Sequence, residues 1–196
     1  MAATDQEAAR TRVLDAAEAL FYARGVQSVG MDEVRTASGV SLKRLYQLFP
    51  SKGELLEAYL RRRDTRWLDS LARYVAMAEA DPRRRPAAVF DWLYAWFAEP
   101  DFHGCAFVNA FGELGATSPA VARAVADHKQ AFRAYLSGVV DAAGGTEAVA
   151  LQLALLAEGA MTTAAISGTP LPARQAGEAA RVLLSAAGAT AVGEGA

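Results

Sequence analysis

Residues 31–56 read "MDEVRTASGVSLKRLYQLFPSKGELL". Gly39 divides two short amphipathic runs and Pro50 stops the second. From Arg35 to Lys52 there are four basic side chains and no acidic one. Val34, Val40, Leu45 and Leu48 fall where two helices joined by a sharp reversal would face each other, and glycine suits the left-handed conformation that such a reversal needs. Ser41 is placed to cap the second helix through its hydroxyl. The pattern predicts helices over 31–38 and 42–49 joined as a helix-turn-helix. Lys43, Arg44 and Tyr46 remain on or near the open face of the second helix, where cations and a phenol can reach base edges and phosphates. A stretch without carboxylates avoids repelling a duplex.

Charge along the chain agrees with this. Residues 1–63 hold ten Lys/Arg against eight Asp/Glu, and residues 64–196 hold ten against fourteen, so a basic N-terminal part is joined to an acidic remainder. Cations at one end neutralise phosphates while the rest keeps the protein soluble.

Outside this stretch apolar positions recur at three and four, with no sustained β-branched alternation, so the fold expected is all-α with about nine helices. Val13, Leu14, Ala17, Leu20 and Phe21 share one face of a first helix, opened by a Thr4–Glu7 capping box and closed at Gly25. A long fourth helix is expected from Ser51 to about residue 80, then a linker at "DPRRRP", 81–86. The fifth helix, 87–98, is apolar nearly all round and belongs in a core. Further helices are expected over 105–114, from 119 to the glycine pair at 144 and 145, over 147–166 and over 172–187, with a frayed tail at 188–196. The division expected is an N-terminal helix-turn-helix part over 1–50 and a longer helical part over 51–190.

At 196 residues and 53% hydrophobic composition the chain can bury a sizeable core. The N-terminus has no apolar run of the kind a secretory signal carries, and Gln152 and Glu158 interrupt the most apolar later segment. No membrane association is expected. A single cysteine, Cys105, fits a reducing cytoplasm. Cys105, His103 and His128 lack a second ligand pair and read as core or rim residues, so neither catalytic residues, nor a metal, nor a cofactor are expected.

Residues 10–56 resemble the DNA-binding domain of the tetracycline-repressor (TetR) family: a first helix ending "LFYARGV", then "MDEVRTASGVS", then "LYQLFPSKGELL". The resemblance implies a homodimeric, all-helical transcription regulator, most often a repressor released from its operator by a small ligand. It implies a DNA-binding domain over 1–50 and a ligand-binding and dimerisation domain over 51–190. Carried over by position, it marks Ser41, Lys43, Arg44, Tyr46 and Lys52 as DNA-contacting, with Tyr46 and Lys52 on the backbone; Leu42 and Gln47 on the same helix and Arg35, which would lengthen the basic patch, are candidates beside them. Three positions depart from the family. Gly30 replaces a capping threonine or serine, Leu48 replaces a frequent aromatic residue, and Arg35 replaces a small residue at a close helix crossing. Arg35 must therefore snorkel outward or widen the hairpin.

Eight of the 17 aromatic residues lie between Phe90 and Phe111. With polar neighbours this describes either a packed core or an apolar cavity. The family's ligand cavity lies among its fourth to eighth helices, which implies Trp67, Trp92, Trp96, Phe107, Asn109, Phe111, Glu113 and His128 as ligand-binding. Small residues on the last two helices (Ala154, Gly159, Ala160, Ala164, Ala176, Ala179, Ala180) stand beside Leu151, Leu155, Ile166, Leu183 and Leu184. They would let the helices approach a second copy in a four-helix bundle. The partners expected are an operator duplex, a small effector and a second copy of the chain. The other reading is a helical binding or scaffold protein with no DNA role.

Overall fold

The computed structural model describes residues 2–193, with side chains described for 4–187. Among these residues there are nine α-helices, one 3₁₀ turn and no strand. They are α1 (Ala2–Arg24), α2 (Met31–Ser38), α3 (Leu42–Leu48), α4 (Lys52–Ala78), α5 (Arg85–Phe97), α6 (Ala106–Leu114), α7 (Pro119–Ala142), α8 (Glu147–Ser167) and α9 (Leu171–Gly193). The all-α expectation and the helix count hold. α1 begins at Ala2, so Thr4 lies inside the helix and the expected capping box does not form its start; the opening alanines are good helix formers and extend it. The expected linker is partly helical, a 3₁₀ turn over Pro82–Arg84 capped by the Asp81 side chain and running into α5. Helical backbone continues through Gly193 where a frayed tail was expected, and residues 194–196 lie outside the described residues.

The chain packs as two compact units, each assembled from separated segments. The first comprises Met1–Thr65 and Ala106–Ala126, which places α6 and the start of α7 with α1–α3 and the first half of α4. Its core is the stripe Val13, Ala17 and Phe21 of α1 with Val34, Leu45, Phe49, Leu55 and Leu60, all buried. α4 is fastened to α1 on its flank. Arg62 reaches Asp15 at 2.8 Å and Glu18 at 2.7 Å, and Arg63 meets Glu18 at 3.1 Å with its guanidinium 3.9 Å over the Tyr22 ring.

The second unit comprises Arg66–Cys105 and Asp127–Ala196. α5 packs on α8 and α9, with Val89, Phe90, Trp92, Leu93 and Phe97 buried, as its apolar circumference requires. Gly177 of α9 lies against Phe90, where a Cβ would come within 3.0 Å of the Phe90 Cβ, so a larger residue would separate α9 from α5. α8 is long and apolar enough to cross a membrane by length and composition, yet 44% of that stretch is buried within the chain and the helix packs on α9 and α5. Ala154, Ala160, Ala164, Ala176 and Ala180 are buried inside this unit, so their small size serves packing within the chain rather than approach to another copy. Their neighbours Leu155 and Ile166 point outward, 73% and 83% exposed.

Candidate nucleic-acid interface

Between α2 and α3 the chain reverses at Gly39, which is left-handed (φ 66°) and donates its N–H to the Arg35 carbonyl at 3.1 Å. Val40 is buried just beyond it. Ser41 is extended and its hydroxyl accepts the Arg44 N–H at 3.2 Å, satisfying one of the amides that a helix start leaves open. Leu45 is wholly buried. On the opposite side Leu42, Lys43, Tyr46 and Gln47 are exposed, at the spacing that puts four side chains on one helical face. Leu48 was expected in the core and is only half-buried. Phe49, where the chain leaves the helix with φ −142°, turns inward instead, and its ring carries the Arg10 guanidinium at 4.6 Å.

The charges around this face are distributed unequally. Lys43 is exposed and has no ion-pair partner among the described residues. Arg44 is half-buried, with its guanidinium 3.6 Å from Asp5 near the start of α1. Arg35 snorkels outward: it pairs with Asp32 at 2.7 Å while Val34 beside it stays fully buried. The Arg35 guanidinium holds the Asp32 carboxyl below its usual value, and Asp32 raises Arg35 in turn. At Gly30, where a capping hydroxyl is missing, no side chain caps the start of α2, and Glu33 supplies only the return half of a capping box. Its carboxylate accepts the Gly30 N–H at 3.1 Å and pairs with Arg24 at 2.6 Å. The Gly30 amide first, and Arg24 second, lower the Glu33 carboxyl. Lys52 opens α4 with its ammonium 6.0 Å from the centre of the Phe21 ring.

The family model "Bacterial regulatory proteins, tetR family" matches residues 13–59, which span this whole arrangement. The chain is similar over its length to the crystal structure of a TetR-transcriptional regulator from Streptomyces avermitilis: 33% identity, 91% of this chain and 97% of the other, TM-score 0.74. This chain belongs to the TetR family of transcriptional regulators. Its sequence is also 42% identical over 66 residues to an uncharacterized HTH-type transcriptional regulator of Mycobacterium tuberculosis, a match covering 34% of this chain and 33% of that protein. It is 36% identical over 119 residues to the HTH-type transcriptional activator FasR of Mycolicibacterium smegmatis, 59% of this chain and 51% of that one. The chain thus spans about a third to a half of the curated relatives it matches. As a TetR-family member it is a regulator and not an enzyme.

The residues that the TetR resemblance marked for a ligand divide between the two units. Trp67, Trp92, Trp96 and His128 come together in the second. Trp67 is the hub, with ring centres 5.0 Å from Trp92, 5.6 Å from Trp96, 5.3 Å from His128 and 5.1 Å from Phe132. Edge-to-face contacts at these distances make a filled aromatic cluster. Phe107, Asn109, Phe111 and Glu113 lie on α6 in the first unit. Phe107 is buried, whereas Asn109 and Phe111 are exposed. The Glu113 carboxylate is engaged by the backbone amides of Val26 and Gln27, a contact that sequence reasoning missed because 86 or more residues separate the partners. Two grooves of the second unit are lined by none of these eight residues. One, of about 660 Å³, lies between Leu155 and Val182 of α8 and α9; the other, of about 410 Å³, lies between Lys129, Arg133, Leu155 and Glu158 of α7 and α8. Cys105 is buried, its sulfur 3.4 Å from the Lys129 ammonium, and His103 is exposed. Among the described residues no three His, Cys, Asp or Glu side chains are grouped to hold a metal.

Proposed function

We propose that this TetR-family protein is a cytoplasmic homodimeric repressor that binds a palindromic operator through α3 and leaves it when a small, largely apolar effector binds. The exposed face of α3, with Leu42, Lys43, Tyr46 and Gln47 side by side on a capped helix, is the observation that carries the reading. Ser41, Leu42, Lys43, Arg44 and Gln47 approach the bases, and Tyr46, with Arg35 of α2 and Lys52 of α4, holds the phosphates. Residues 1–50 are the DNA-binding domain and residues 51–190 bind the effector and the second copy. The dimer forms through the outer faces of α8 and α9. Leu151, Leu155, Leu171 and Val182 are exposed there and Gly159 has open space beyond its Cα, an apolar surface that a two-fold bundle would bury.

The effector is assigned to the aromatic cluster around Trp67, with His128 as its polar group. Asn109, Phe107 and Phe111 on α6 are the further candidates carried by the family resemblance. Because the cluster is filled, the effector must prefer a conformer in which the rings part, and it shifts the population by its differential affinity, typically about 1–3 kcal/mol. FasR is an activator by name, which favours activation from the same operator as the second reading.

Selection of random duplexes by the pure protein, read by sequencing, tests the core of this. A two-fold symmetric consensus is expected; recovery of no consensus would overturn it. Transcription from a template bearing that consensus should fall when the protein is added, and a rise selects the activator reading.

A further inference from the structure

The loop between α1 and α2 is closed by a residue far away in sequence. Gly25 ends α1 with φ +83°, and the next two amides then point the same way, a backbone nest suited to an anion. The Glu113 carboxylate of α6 fills it: one oxygen accepts the Val26 N–H at 2.9 Å and the other the Gln27 N–H at 2.7 Å. The Gln27 side chain donates back to the Glu113 carbonyl at 2.8 Å. Ser28 closes the opposite side by donating its hydroxyl to the Arg24 carbonyl at 2.7 Å. The fit is close, since a Cβ on Gly25 would stand 3.0 Å from Glu113 Oε1.

We propose that Glu113 is a positioning residue for DNA reading: by clamping the entry to α2 onto α6, it fixes the spacing at which two recognition helices meet a palindromic operator. This rests on the DNA-binding function proposed above. The chain passes between its two compact units three times, after Thr65, after Cys105 and after Ala126. Two of these crossings belong to the 106–126 segment, and Glu113 ties that segment to the loop through three hydrogen bonds. Without the clamp the helix-turn-helix keeps its own core of Val34, Leu45 and Phe49 and reads one half-site as before. What it loses is restraint. A broader distribution of spacings lowers the chance that both helices engage together, so the loss falls on the full operator.

The test uses the full-length chain, the palindrome recovered by selection, and a duplex carrying one half of it. Glu113→Gln keeps the side chain's size but presents an NH₂ to one of the two amides. The variant should bind the full operator about tenfold more weakly and the half-site within about twofold of the parent. Amide exchange at Val26 and Gln27 should quicken about tenfold while Leu45 and Phe49 exchange as before. Gly25→Ala attacks the clamp from the other side and should give the same split. The double variant should bind no worse than the weaker single one, since both act through one contact. Equal losses on both duplexes, or faster exchange at Leu45, would mean that Glu113 only stabilises the fold and would overturn the proposal. So would full-operator binding unchanged in either variant. If the parent protein selects no duplex, the DNA-binding function itself falls and the positioning role with it, an outcome distinct from a parent that binds and variants that bind equally well.

Discussion

Among the side chains facing DNA in the proposed complex, environment separates their roles. Lys43 stands in solvent without an ion-pair partner among the described residues, so it brings its full charge to a duplex. Arg44 must leave Asp5, which is 79% exposed, and that costs little because a surface pair is worth about 0–1 kcal/mol. Lys52, at the start of α4 and off the recognition helix, is assigned to the backbone in the proposed complex. Lys52→Ala should therefore weaken all sequences alike and reduce the salt slope by about one, whereas Arg44→Ala, if it reads a base, should cost about 1–3 kcal/mol and relax one operator position. Titrating each variant against a set of single-base operator changes at several salt concentrations distinguishes these outcomes. A uniform loss for Arg44→Ala would move it to the phosphates. Arg35 is less available than its sequence position implied, because Asp32 neutralises it locally.

At the level of the helix, the seven residues of α3 are too few to be stable alone and depend on their cap and on Leu45. Ser41→Ala removes the acceptor for the Arg44 amide and should destabilise the chain by about 1 kcal/mol, read as a lowered midpoint of denaturant unfolding. An unchanged midpoint would mean that water replaces the hydroxyl. This part of the fold was legible in the sequence because it is local: the turn at Gly39, the cap at Ser41 and the core positions Val34 and Leu45 all follow from spacing within one short stretch. Phe49, to which the sequence assigned no role, is buried where the chain leaves the helix, and helix ends are decided by competition among neighbours rather than by periodicity. The Glu113 contact was not legible. A carboxylate bound by two main-chain amides leaves no pattern in side-chain types, and its partners stand 87 and 86 residues away. The small residues of α8 and α9 misled for a related reason. A stripe of alanines permits close approach without saying to what, and most of theirs is spent within the chain.

For the whole molecule the test is assembly. Leu155 is 73% exposed and borders both grooves of the second unit, so Leu155→Glu should leave the folded monomer intact. In the proposed dimer it would bury two opposed carboxylates. Sedimentation at micromolar concentration should show the parent as a dimer and the variant as a monomer, with operator binding lost in step; a dimeric variant would place the interface elsewhere. The order in which the units are assembled has a further consequence, for synthesis. A ribosome delivers the loop that Glu113 must close long before it delivers Glu113. At about 5–20 residues per second the wait is on the order of ten seconds, during which the nascent helix-turn-helix has its recognition face but not its restraint. α8, with the most exposed apolar side chains, emerges only after the segment ending at Ala126 has completed the first unit. Translation order thus delivers that apolar surface only after every segment of the first unit has been made.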